Sequence, residues 1–140
     1  MNNRMKLEFL SLPENEAFAR SVVSAFALNL NPTLSELSDI KTAVSEAVTN
    51  CIVHAYQEVG IVEIQGIIEG DTLFLTIADT GKGIKNIDEA LQPFFTTLEN
   101  EEHSGMGFTI MQTFMTDFCI DSTPDKGTTV YLSKRIGNAE

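Results

Sequence analysis

The stretch IVEIQGIIEGDTLFLTIADTGKGI (residues 61–84) sets the frame for the chain. Residues 61–68 and 72–78 read as two strands around a Gly70-Asp71 turn. The pattern breaks at DTGKGI (79–84), directly after Ile77-Ala78. Two glycines, Gly81 and Gly83, let the backbone take turns that a Cβ would forbid and let a flat ring approach closely. Asp79, at the strand's edge, is placed to accept from an exocyclic amine, while Ile84 offers an apolar surface. An ordinary Asp-Thr-Gly turn would read the same way.

Upstream, residues 34–56 form an amphipathic helix, with Leu37, Ile40, Val44, Ala47, Val48, Cys51 and Ala55 recurring at three- and four-residue spacing. Glu46, Asn50 and His54 fall at i, i+4 and i+8 and make one polar ridge bordering that apolar face. Most such triplets are solvated flanks, so the spacing alone decides nothing. Before this helix, residues 5–10 alternate as a strand. Residues 14–30 follow as a helix with Phe18, Val22, Ala25 and Phe26 on one face, ended by Asn31-Pro32.

Downstream lies a polar stretch with Pro93, then EEHSGMG at 101–107. A helix from about Met106 to Met115 follows, with glycines exposing amide groups that suit phosphate oxygens. It is neither a P-loop nor a dinucleotide fingerprint, because GxxxxGK[ST] is missing and GMG does not follow a strand. Strands at 117–121 and 128–133 close the chain around Pro124-Asp125-Lys126-Gly127. The sum is an α+β fold, a two-layer α/β sandwich with a mixed or antiparallel sheet and helices on one face. At 140 residues it is most simply one domain, 1–140.

A net charge of −11 argues against a nucleic-acid binder, which needs clustered Lys and Arg, and against an anionic membrane surface. Phosphates bound by so acidic a chain need local neutralisation by amides, a few cations and Mg²⁺. Cys51 and Cys119 lie in apolar runs without metal-type spacing, and each reads as a buried free thiol. No apolar run reaches a membrane span, and the N-terminus lacks a signal-peptide core, so the expected compartment is the cytoplasm.

The order of these motifs is more specific than any one of them. A helix bearing ExxxN, a strand ending in DxGxG, a long loop, a GxG opening a helix and a final GTT strand resemble the GHKL (Bergerat-type) superfamily. That superfamily includes gyrase-type ATPases, Hsp90 chaperones, MutL and histidine kinases. SEAVTNCIVHAY, DTGKGI, QPFFTT, SGMGFTIM and GTTVYL resemble more closely the bacterial anti-sigma factor serine kinases. The early FARSVV and the short length point to the sporulation branch, whose target is a sigma factor of the sigma-F type.

The resemblance implies ATP and Mg²⁺ as cofactors, with Asn50 on the metal and Asp79 on the adenine amino group. Gly81, Gly83 and Ile84 would line the base pocket, and Thr129, or Thr128 beside it, would help hold the adenine. Residues 92–105 would be the ATP lid, with Thr96 and Thr97 in a nucleotide role and Ser104, Gly105, Met106 and Gly107 at the phosphates. Glu46 would be the catalytic base, taking the proton of a serine hydroxyl on an anti-anti-sigma protein.

The resemblance also implies a homodimer and sequestration of the sigma factor, with Arg20, an isolated cation, as a partner contact. Leu98 and His103 stand where the family usually has Lys and Arg, which bears on the kinase rate more than on nucleotide binding. Lys82 and Lys126 are the nearby cations that would compensate. Two further readings stay open: a stress-response anti-sigma kinase, and an ATP-dependent sigma-binding module with little kinase activity.

Overall fold

Thr33 starts the helix on which the rest is assembled. Its Oγ1 accepts from the Glu36 amide at 3.0 Å, and Glu36 Oε1 accepts from the Thr33 amide at 2.8 Å. This capping box satisfies donors that a helix start leaves open, and the Thr33 amide holds the Glu36 carboxyl below its ordinary value. Just upstream, Asn31 takes a left-handed conformation (φ 52°), closing a short 3-10 turn over Leu28–Leu30 before Pro32.

The computed structural model describes residues 2–55, 58–84, 87, 91 and 107–137. Its elements are β1 (Asn2–Leu10), α1 (Asn15–Ala27), α2 (Leu34–Asn50), β2 (Ile61–Glu69), β3 (Thr72–Asp79), α3 (Gly107–Phe114), β4 (Asp117–Thr123) and β5 (Gly127–Arg135). The expected helix over 34–56 is two things: regular α-helix to Asn50, then a wider π-helical turn over Cys51–Ala55. Strands run slightly longer than the apolar patterns, because ladder hydrogen bonds do not depend on side-chain polarity.

The strands make one sheet in the order β1-β2-β3-β5-β4, and all four pairings are antiparallel. The sheet is therefore antiparallel and not mixed. Helices α1 and α2 run out and back, so Ile61 re-enters opposite Leu10. The neighbours β2–β3 and β4–β5 are hairpins, which cannot be parallel, and β5 returns antiparallel beside β3.

One sheet face carries Val62, Ile64, Leu75, Ile77, Val130 and Leu132, all buried against the helices. Helix α2 answers with Ile40, Val44, Ala47 and Val48 at helical spacing. Helix α1 differs from its sequence reading: the buried side chains are Ala19, Val23 and Ala27, while Phe18 is half exposed. Helix α1 packs on α2 and buries small to medium side chains. Phe26 instead reaches over Gly66, where a Cβ would come within 3.0 Å of its ring.

Cys51 is buried but Cys119 is exposed, which corrects the reading of two buried thiols. On β4 the alternation turns Phe118 and Ile120 towards the core, so Cys119 faces outward.

Candidate functional site

The site is built where α2 ends, β3 ends and α3 begins. Glu46 and Asn50, one turn apart, are both half-buried on α2. Gly107, the buried first residue of α3, packs directly on them. A Cβ there would sit 3.2 Å from Glu46 Oε1, 3.3 Å from Asn50 Nδ2 and 3.5 Å from Asn50 Oδ1. A carboxylate, an amide and a helix N-terminus are thus gathered at one point.

Beyond Asn50 the helix widens. The carbonyl of Ala55, at the end of the π turn, accepts from the Lys82 amide at 2.8 Å. A Cβ at Gly81 would run into this same carbonyl. The close approach that Gly81 allows here is one of backbone on backbone. Gly83 (φ 73°) is similar, since its missing Cβ leaves room for the Thr123 carbonyl. The DTGKGI turn is wedged between the end of α2 and the β4–β5 hairpin.

Asp79 closes β3 and is buried. Its Oδ1 accepts from the Gly81 amide at 2.9 Å, and its Oδ2 accepts from the Cys51 thiol at 3.5 Å. Burial pushes the Asp79 carboxyl above its ordinary value, opposed by donors from Gly81, Cys51 and the Thr128 amide. Burial and the Asp79 charge push the Cys51 thiol well above 9.0, so it keeps its proton.

Thr128 lies opposite Asp79 in the β3–β5 ladder, and Thr129 lies opposite Ala78. Successive residues alternate faces, so Thr128 shares the Asp79 side and Thr129 does not. Thr128 Oγ1 is 2.7 Å from Ser122 Oγ, which also accepts from the Ile84 amide at 2.8 Å. Gly127 (φ 119°) packs so that a Cβ would strike the Asp79 carbonyl.

The structure thus brings together Glu46, Asn50 and Gly107, and separately Asp79, Gly81, Gly83, Ile84 and Thr128. Thr96, Thr97, Leu98, His103, Ser104, Gly105 and Met106 lie outside the described residues, as does the His54 side chain. Arg20 stands apart on α1 and is not an isolated cation, because its Nε lies 3.5 Å from Glu16 Oε2. Sequence reasoning missed Cys51, Ser122 and the backbone role of Gly127. Only the adjacency of Cys51 to Asn50 gave any signal for the first.

A family model described as a histidine kinase-like ATPase domain matches residues 9–134. An anti-sigma F factor of Thermoanaerobacter sp. (strain X514) is 55% identical over 137 residues, spanning 97% of this chain and 96% of the relative. The chain belongs to the anti-sigma F factor family of histidine kinase-like ATPase domains. The anti-sigma F factor of Bacillus licheniformis (strain ATCC 14580) is 50% identical over 142 residues, covering all of this chain and 97% of its own.

The fold itself extends to remote structures. The RsbU and RsbW domains of a Mycobacterium tuberculosis protein align over 98% of this chain and 33% of theirs. The TM-score is 0.72 at 16% identity, a likeness of fold alone. A histidine kinase-like ATPase domain implies that the chain binds ATP.

The donor set at the end of α2 fits Mg²⁺. One amide oxygen, that of Asn50, is too little for a closed metal cage, and suits an ion that keeps waters and binds mainly through phosphates, which leaves the Glu46 carboxylate outside the metal's donors. No cluster of three or more His, Cys, Asp or Glu able to hold a metal occurs among the described residues. None of the described helices is long and apolar enough to cross a membrane.

Proposed function

We propose that the chain is an ATP-dependent protein serine kinase that also holds a sigma-F-type sporulation factor, and that its phosphoryl acceptor is an anti-anti-sigma antagonist. The observation that supports this most is the meeting of Glu46 and Asn50 beneath the first residue of α3. Asp79, held at the far side of the turn, accepts from the adenine 6-amino group, with Thr128 and Ile84 beside it.

Asn50 would hold Mg²⁺, which when bound neutralises charge on the phosphates. Amides at the start of α3 face the same phosphates. Glu46 takes the proton as the serine oxygen bonds to the γ-phosphorus; the bridging P–O bond breaks, and ADP leaves with the released electron pair. The protein acts as a homodimer in the cytoplasm, and Arg20 contributes to a partner-binding surface on α1.

Mass spectrometry of the antagonist after incubation with this protein and Mg·ATP tests the reading. One phosphate added to a serine is expected. An unmodified antagonist, with ATP still bound, would leave the sigma-binding module without kinase activity, the reading that Leu98 and His103 favour. Capture of a stress-response sigma factor in place of the sigma-F type would move the protein to the other circuit.

A further inference from the structure

We propose that Cys51 is a positioning residue for adenine recognition, its thiol fixing the Asp79 carboxylate in the orientation that accepts the 6-amino group. The inference rests on the reading that Asp79 receives that group. Its own ground is geometric. The Asp79 carboxylate is held from both sides: Oδ1 by the Gly81 amide at 2.9 Å, Oδ2 by the Cys51 thiol at 3.5 Å. A carboxylate oxygen accepts more than one hydrogen bond, so a thiol on Oδ2 still leaves capacity for an amine.

The thiol also bears on which base is accepted. A protonated Asp79 would present an O–H and match a 6-oxo purine; an ionised one accepts only and matches a 6-amino purine. Burial favours the protonated form, and donors aimed at the carboxylate oppose it. Cys51 is a side-chain donor to Asp79, whereas those from Gly81 and Thr128 come from the backbone and survive any side-chain substitution. Cys51 is 4% exposed, so water does not readily replace its thiol.

Cys51 is the first residue of the π turn, whose last carbonyl, that of Ala55, takes the Lys82 amide. Asn50 and Cys51 are neighbours in sequence. One therefore serves the phosphate end and the other the base end of the same site.

Calorimetric titration of Mg·ATP and of its 6-deamino analogue, purine riboside triphosphate, into wild type, Cys51→Ala, Cys51→Val and Cys51→Ser tests this. Wild type should prefer ATP. Cys51→Ala and the donorless, space-filling Cys51→Val should bind ATP roughly two- to tenfold more weakly, the worth of one hydrogen bond. Both should bind the analogue as wild type does, and Cys51→Ser should restore the preference. Each preference is a ratio taken on one sample, so a partly unfolded variant does not distort it.

Equal weakening for both nucleotides, or an unchanged preference in the Ala and Val variants, would overturn the role of Cys51. A wild type that fails to distinguish ATP from the analogue would instead overturn the assignment of Asp79 to the adenine amine.

Discussion

The two ends of the proposed nucleotide site, one assigned to the base and one to the phosphates, are built from different materials. At the base end, backbone meets backbone: Gly81 on the Ala55 carbonyl, Gly83 on the Thr123 carbonyl, Gly127 on the Asp79 carbonyl. At the phosphate end, the glycine of α3 meets side chains, the Glu46 carboxylate and the Asn50 amide at 3.2 to 3.5 Å. Backbone walls resist deformation and hold one fixed shape, which suits recognition of a rigid ring. Side-chain walls can shift by tenths of an ångström, which suits groups that must follow a reacting phosphate.

The largest expected effect falls at the phosphate end. Glu46→Ala should slow phosphoryl transfer about 10²–10⁴-fold while Mg·ATP still binds, because a general base acts on the transition state and not on the bound nucleotide. Single-turnover transfer beside equilibrium binding separates the two. Equal losses in both would make Glu46 a binding residue.

The glycines should then divide by neighbour. Gly81→Ala forces a Cβ into backbone and should destabilise the fold by about 1–3 kcal/mol, read by urea denaturation. Gly107→Ala meets only movable side chains and gains helix propensity, so stability should change by less than about 1 kcal/mol. Its transfer rate should fall on the order of tenfold as Glu46 and Asn50 shift. The reverse pattern would erase the distinction between the two ends.

A smaller effect concerns pH. Burial raises the Asp79 carboxyl above 3.8 in the folded chain, so the stability this group contributes is present below 3.8 and lost as pH rises through the raised value. Asp79→Asn carries no such titration. The stability of nucleotide-free wild type relative to Asp79→Asn should therefore decline with rising pH across that window and then level off. Denaturation curves for both proteins from acid to neutral pH check this; a difference independent of pH would contradict the buried, ionisable Asp79.

Much of the fold was legible because period alone carried it. Residues 61–68 and 72–78 read as strands on each side of the Gly70-Asp71 turn, and helical spacing put Ile40, Val44 and Val48, which are buried, on the apolar face of α2. Glu46 and Asn50 meet on one face for the same reason, since regular α-helix holds to Asn50. The π turn was not legible. The apolar period runs on through Cys51 to Ala55, and the wider turn is fixed by Lys82 and Gly81, some thirty residues away.

Phe18 misled for a related reason: hydrophobicity alone cannot show which apolar side chains of α1 turn inward, and those are Ala19, Val23 and Ala27. The choice between Thr128 and Thr129 needed the strand register, which sets the side of the sheet and is written in no single residue.

The most direct test of the whole account is calorimetric titration of Mg·ATP into wild type and into Asp79→Ala. A saturable site in wild type that is lost or strongly weakened in the variant is predicted. Full-strength binding without the Asp79 carboxylate, or no uptake of ATP by wild type, would contradict the placement of adenine nucleotide at this site.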